Sequence, residues 1–285
     1  LDYQFVDSRI SLSAFINARL NTRHIIKAGL IVDQMFFNFK DSNYLENSYI
    51  WEVRVDARSN AQLLQPYAEY KFKLNDEITF NSGIHGQVLT INTNSSVLEG
   101  RLGAQWKINN NHQLNLGVGM HSQQAASYIY FAQQADSNGN YQHYNKNLGF
   151  MRSNHVVLGY DLFLQNNARI KIETYYQHLY NIPVDITPSS VSLLNQGASF
   201  TRFFPDPMQN GGTGNNYGIE FTYEKFFSSS YYVMLTATLY DSKYKGSDGI
   251  TRNTDFNGKY ILNVLGGKEF ALNKSKTTLL TTAFK

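Results

Sequence analysis

The stretch RISLSAFINARL, residues 9–20, decides how this chain is read. Ile10, Leu12, Ala14, Ile16, Ala18 and Leu20 share one face of an extended strand. Arg9, Ser11, Ser13, Asn17 and Arg19 share the other, and Phe15 is the exception. Strand side chains alternate with period two, so this is a ribbon with one apolar and one polar side. The same alternation recurs at 113–123, where Leu114, Leu116, Val118 and Met120 oppose Gln113, Asn115, Gly117, Gly119, His121 and Gln123. It recurs again at 97–108, 168–177 and 231–239.

Working outward from these, the sequence predicts about twelve strands, at 8–20, 23–36, 61–74, 77–89, 97–108, 113–123, 152–164, 168–177, 217–226, 231–241, 259–270 and 277–284. Their joints alternate. Asn21-Thr22, Asn75-Asp76, 109–111, 165–167, 228–230 and 273–275 are short; 38–60, 124–151, 178–216 and 242–258 are long, with a shorter one at 91–96. Tight turns at one end and long loops at the other are the arrangement of an outer-membrane β-barrel. A tilted membrane strand needs about 9–11 residues, whereas soluble strands run to about five or six, so the lengths favour the membrane. Lys71, Lys73, Glu99, Arg101 and Lys171 fall on the polar faces. Lining a wet lumen they stay solvated; turned to lipid each would cost about 2–4 kcal/mol at the midplane.

Composition is compatible with this and excludes other classes. The 285 residues carry 20 Tyr and 19 Phe, as strands and interfacial girdles require, and no Cys, which rules out disulfides, thiolate metal sites and a Cys nucleophile. Net charge is only +3 with both signs interspersed, giving no support for a nucleic-acid partner. The mean hydropathy of −0.38 suits a barrel whose two faces average out, and no apolar run is long enough for a spanning helix. No i, i+3, i+4, i+7 pattern persists for three turns, and connection lengths vary too much for a repeat fold. The reading is one all-β transmembrane antiparallel barrel domain over 1–285. Loop 178–216 should be ordered, because Leu193, Leu194, Phe200, Phe203 and Phe204 need burial.

Other motifs reduce to simpler explanations. DSNGN at 136–140 begins like a calcium loop but has Asn147 where the bidentate Glu belongs, so it reads as a turn. GGTGNN at 211–216 lacks the Lys-Ser/Thr of a phosphate loop and reads as loop flexibility. Seven His in no ligand spacing give no metal site. The His121-Ser122 pair raises an outer-membrane hydrolase, but neighbours on a strand face opposite ways. No catalytic residue and no cofactor is assigned.

Several strings resemble the barrel of Bacteroidetes TonB-dependent receptors: GVGMHSQ at 117–123, NKNLGFMRSNHVVLGYD at 145–161, IKIETYYQHLYNIPV at 170–184, SLLNQGASF at 192–200, GTGNNYGIEFTYEKFF at 212–227 and LYDSKYKGSDGITRNTDFNGKYILNVLGGKEF at 239–270. Such receptors have a barrel of about 22 strands filled by a plug. The resemblance implies that this chain is an interior-to-late barrel segment without the plug, in the bacterial outer membrane. It implies import of a bulky nutrient: a metal chelate, a cobalamin-like cofactor or an oligosaccharide. Partners would be outer-membrane lipid and the TonB energy-coupling complex acting through the missing plug, with a surface lipoprotein left open. Lumen-facing residues near the long-loop ends are then the candidate substrate contacts: His85, Gln87, His121, Gln123, His155, Tyr175, Gln177, Glu220 and Tyr240. The alternatives are a complete passive porin or adhesin barrel of about twelve strands, and, further off, an outer-membrane hydrolase or a soluble carbohydrate-binding β-sandwich.

Overall fold

A computed structural model describes residues 2–45, 50–136, 138–165, 167–197, 203–275 and 277–285. Its elements are β1 (Asp2–Arg19), β2 (His24–Leu45), β3 (Ile50–Lys73), β4 (Ile78–Leu89), β5 (Ser96–Lys107), β6 (His112–Gln123), α1 (Ser127–Tyr130), β7 (Gln134–Ala135), β8 (Tyr141–Gln142), β9 (Met151–Leu164), β10 (Ala168–Asp185), β11 (Met208–Ser228), β12 (Tyr231–Lys245), β13 (Thr251–Asn253), β14 (Tyr260–Ala271) and β15 (Leu279–Phe284). All strands but β7, β8 and β13 pair antiparallel with their neighbours in the order β1-β2-β3-β4-β5-β6-β9-β10-β11-β12-β14-β15. These are the twelve strands that the alternation predicts. β7 and β8 form a separate hairpin, and β13 adds to β12.

Four of the short turns use one device. Asn21, Asn75, Asn109 and Asn273 each accept two backbone N–H bonds on the side-chain oxygen, from Arg23 and His24, Glu77 and Ile78, Asn111 and His112, and Thr277 and Thr278 respectively. The Asn side chain thus replaces backbone bonds that the reversal forfeits. At the β11–β12 turn, Ser229 and Ser230 both take positive φ, 54° and 68°, as a twist-matched two-residue hairpin demands. Asn166, in the β9–β10 turn, and Phe200, in the long loop, lie outside the described residues.

The sheet is inverted relative to a soluble protein. Leu12, Ile16, Leu98, Leu102 and Leu239 are exposed, each by more than 60%. On the polar row behind them, Asp33, Glu99 and Asp161 are covered, each below 5% exposed, while Lys71, Lys73 and Arg101 stay exposed. On β3 and the residue that follows it, the outward row reads Arg58, Asn60, Gln62 and then Leu64, Pro66, Ala68, Tyr70, Phe72 and Leu74. Leu64 to Leu74 is ten residue steps, about 34 Å along the strand. At a tilt near 45° that is a band roughly 24 Å tall, the height of a lipid-facing belt.

The long connections differ from their sequence reading. Residues 38–60 and 178–216 are expected as loops, yet β2 runs to Leu45, β3 starts at Ile50, β10 runs to Asp185 and β11 starts at Met208. Likewise β12 continues to Lys245 inside the expected loop 242–258. The hairpins rise beyond the membrane, where both faces meet water or other loops, so lipid-face alternation lapses without pairing being lost. GGTGNN, read as a flexible loop, lies inside β11. Its glycines serve close approach: a Cβ on Gly212 would sit 2.5 Å from Val184 Cγ1, and one on Gly214 2.6 Å from Leu194 Cδ1. Of DSNGN, expected as a turn, Ser137 lies outside the described residues, and Asp136 Oδ1 accepts from the N–H of Asn138 and of Asn140.

The apolar core sits at the outer mouth, on the inward face. Met35, Phe37 and Phe39 of β2 and Val55, Ala57 and Ala61 of β3 pack against Ile129, Tyr130, Phe131, Leu148 and Phe150 of the β6–β9 loop. Leu193, Phe203 and Phe204 pack onto this cluster, so the described part of the long loop is ordered as expected. Arg54 bridges Asp41 at 2.5 Å and lies 4.1 Å over the Phe204 ring. Tyr144 donates to Pro205 O at 3.0 Å.

Burial pushes the Tyr130 phenol up to about 12, against the bond it accepts from Ala125 N–H. Tyr144 is also raised to about 12, first by burial and then by the Asp206 and Glu52 charges. A phenol whose folded value exceeds its free value of about 10 favours the fold while neutral. Loop packing is therefore expected to be complete below pH about 10 and lost as pH rises through about 12. Amide exchange across 124–150 and tyrosinate absorbance check this. The late-titrating absorbance should vanish in a Tyr130→Phe, Tyr144→Phe double variant.

Candidate functional site: a polar belt beneath the mouth

Register decides what meets on the inward face. The tight β4–β5 connection pairs His85 with Glu99, and His85 Nδ1 lies 2.9 Å from Glu99 Oε2. Arg101 Nη2 donates to the same oxygen at 2.9 Å. Gln87 Nε2 and Ser122 Oγ donate to Glu99 Oε1, at 2.9 and 2.5 Å. Glu99 is 1% exposed, so a carboxylate is held under cover by four donors.

Ser122 reaches this carboxylate because β6 leaves β5. Their pairing stops at Arg101↔Gly119, while β6 stays paired with β9 up to Gln123↔Met151. His121 and Ser122 do not part to opposite faces as strand neighbours are expected to: both border the inner cavity. The corrected point is the destination of Ser122: above Gly119 it turns to Glu99 rather than to lipid. Neither residue forms a nucleophile–base pair with the other.

From there a chain of side chains crosses the wall. The His121 and His155 rings are 4.6 Å apart, and Ser153 Oγ and Gln177 Nε2 lie 2.8 and 2.6 Å from His155 Nε2. Asn216 Nδ2 donates to Gln177 Oε1 at 2.7 Å, and Ser242 Oγ to Asn216 Oδ1 at 2.7 Å. Seven adjacent strands, β4 to β12, thus share one polar belt, hydrogen-bonded on either side of the His121–His155 ring contact. His121, Gln123, His155 and Gln177 border a cavity of about 250 Å³ that Leu179, Ile182 and Leu194 also line.

Of the nine residues predicted from sequence, those four line the cavity, and His85 and Gln87 hold Glu99 beside it. Tyr175, Glu220 and Tyr240 lie one or two steps lower on β10, β11 and β12. Gly218 lets them converge: a Cβ there would meet Tyr175 Oη at 2.8 Å. The Tyr240 hydroxyl is engaged by the loop before β14, donating to Phe256 O at 2.8 Å and accepting from Gly258 N–H at 2.9 Å. Glu99, Ser122, Ser153, Asn216 and Ser242 escaped the sequence reading. For Glu99 a signal existed, since the short 91–96 connection sets it opposite His85. For the others, register across the long loops was needed. Among the described residues no group of three His, Asp or Glu side chains could hold a metal ion.

An inverted antiparallel wall with short turns on one side is the architecture of an outer-membrane β-barrel protein. Residues 1–278 match the family described as TonB dependent receptor-like, beta-barrel, and the chain belongs to that family, whose members are bacterial outer-membrane proteins. Its fold is similar to solved structures of such receptors. With the ferric yersiniabactin uptake receptor FyuA from Yersinia pestis the TM-score is 0.69 at 10% identity, over 97% of this chain and 42% of that one. With the ferric-catecholate import receptor Fiu from E. coli K12 it is 0.65 at 13%, over 95% and 43%. With the FrpB iron transporter from Neisseria meningitidis it is 0.64 at 10%, over 94% and 41%. The chain spans about two fifths of the length of these structures. Comparison with curated protein sequences gives no match.

Proposed function

We propose that these residues are a substrate-facing part of the wall of a TonB-dependent outer-membrane transporter, and that the cavity between β6, β9 and β10 contacts the nutrient during import. The observation that carries the reading is the polar belt: a membrane-facing sheet keeps a wet, hydrogen-bonding inner face just beneath an apolar mouth. Imidazole and amide groups over an aliphatic edge suit noncovalent capture of a bulky chelate, a cobalamin-like cofactor or an oligosaccharide. That the similar structures are named for ferric chelates and iron supports the first of these.

The sheet ends in two edges, β1 and β15, whose outer backbone groups need partners in lipid. We read it as part of a larger barrel of about 22 strands. TonB would act through a plug lying outside these residues, and a surface lipoprotein could complete the mouth.

Uptake of a labelled ferric chelate, cobalamin and an oligosaccharide by cells expressing the whole receptor tests the proposal. One class should enter only with functional TonB. A His155→Ala, Gln177→Ala double variant should raise the half-saturating concentration about tenfold, since each lost hydrogen bond is worth about 0.5–1.5 kcal/mol. TonB-independent entry would favour the passive porin. An unchanged half-saturation in the variant would remove the cavity from the path.

A further inference from the structure

The step where β6 leaves β5 has a second consequence, at Arg152. Arg152 lies opposite Ser122 in the β6–β9 ladder, and alternation puts it on the outward row with Asn154 and Val156. It does not stay there. Like Ser122, it turns inward through the gap above Gly119. It borders the cavity between β6, β9 and β10, and its Nη2 donates to Ser96 O, at the start of β5, at 3.5 Å.

This guanidinium has more donors than partners. It carries five N–H groups and no acceptor, and it keeps its charge. The bond to Ser96 is long, and Nε is buried with no hydrogen-bond partner. Among the described residues no acidic side chain pairs with Arg152. Glu99, the carboxylate of the belt, is already held by His85, Arg101, Gln87 and Ser122. No Asp or Glu lines the cavity, whose other polar groups are hydroxyls, amides and imidazoles. A partly covered cation set among neutral groups gains most from an anion.

We propose that the cavity takes an anionic oxygen group, carboxylate or phosphoryl, carried on one arm of the nutrient. Arg152 binds that group and so sets a preference for charged over neutral cargo. The inference rests on the reading that this cavity contacts the nutrient, and it names the chemistry of the contact. The guanidinium fork matches the paired oxygens of either group. At about 250 Å³ the cavity is smaller than a whole-ligand pocket of about 300–1,000 Å³, so it seats an arm and not the entire cargo. Leu179, Ile182 and Leu194 offer an apolar edge to the carbon stem of that arm. An Arg152 that only strapped β9 to β5 through Ser96 would show no dependence on an anion.

Isothermal titration of the whole purified receptor in detergent tests the proposal, with citrate, inorganic phosphate and uncharged triethyl citrate as probes. The better of the two anions is expected to bind about tenfold more tightly than the ester. Which anion it is separates a carboxylate from a phosphoryl source. Arg152→Gln should weaken anion binding about tenfold and leave the ester unchanged, and Arg152→Lys should restore part of the loss. Arg23→Gln, which removes an exposed cation at the β1–β2 turn, should change nothing. Equal affinity for anions and ester overturns the proposal, as does unchanged anion binding in folded Arg152→Gln. So does an equal loss in Arg23→Gln, which would make the attraction diffuse. Should Arg152→Gln fail to fold, phenylglyoxal labelling of the unsubstituted receptor decides. The anion should shield Arg152 and not Arg23; equal labelling of Arg152 with and without anion has the same overturning force. The titration needs no transport, so its failure removes the anion site alone. Unchanged half-saturation of uptake in the His155→Ala, Gln177→Ala variant instead removes the cavity from the import path.

Discussion

Leu116→Arg is expected to cost about 2–4 kcal/mol of folded barrel stability, while Asn115→Lys, one residue away, costs little. Leu116 is 46% exposed on the outward row in the middle of the β6 band, where a guanidinium must be dragged into hydrocarbon or bend the bilayer to reach water. Asn115 faces inward, and its Nδ2 donates to Asp161 Oδ2 at 2.7 Å. Asp161 is 3% exposed, and its Oδ1 accepts no hydrogen bond and has Arg169 Nε at 3.9 Å, so an ammonium there still meets a carboxylate. The difference should appear as the fraction of protein resistant to detergent unfolding at room temperature. Equal losses at the two positions would reverse or cancel the assignment of faces.

Tyr130→Ala is expected to release the β6–β9 loop from the mouth at a cost of about 3–5 kcal/mol, the range for emptying a buried aromatic site. Tyr130 is fully covered, in the cluster where Phe131 lies 5.3 Å from Phe37 and 6.0 Å from Phe39. The loss should stay local, because the barrel ladder does not pass through the loop. Hydrogen exchange should accelerate across 124–150 and on the inward face of 35–39, with exchange in β10 and β11 unchanged. A uniform loss of protection in the whole sheet would mean that mouth and wall fold as one unit.

Much of the site was legible at the level of faces. Alternation alone assigned His121, His155 and Gln177 to the wet side, and their convergence follows from antiparallel neighbours in register. Glu99 was placed on that side too, but its burial was not, because cover comes from Ser122, a residue whose parity points outward. The misread stretches share a cause. Residues 38–45 and 50–60 pair as strands above the membrane, where the outward row turns to Asn38, Lys40 and Arg58 and the inward row to Phe37 and Phe39. The contrast there no longer marks lipid against lumen, so period two ceases to mean what it means lower down.

By itself the sequence determined the strand count, the tight-turn side and which face meets lipid. Each follows from local chemistry: a two-residue period, Asn at the reversals and the high cost of charge in hydrocarbon. Only the tertiary structure decided how far the hairpins rise, where β6 parts from β5, and that the long loops fold inward onto β2 and β3. Those features depend on register between strands and on aromatic packing between segments far apart in the chain, where Phe131 meets Phe37 across more than ninety residues, and no short-range pattern encodes such a meeting.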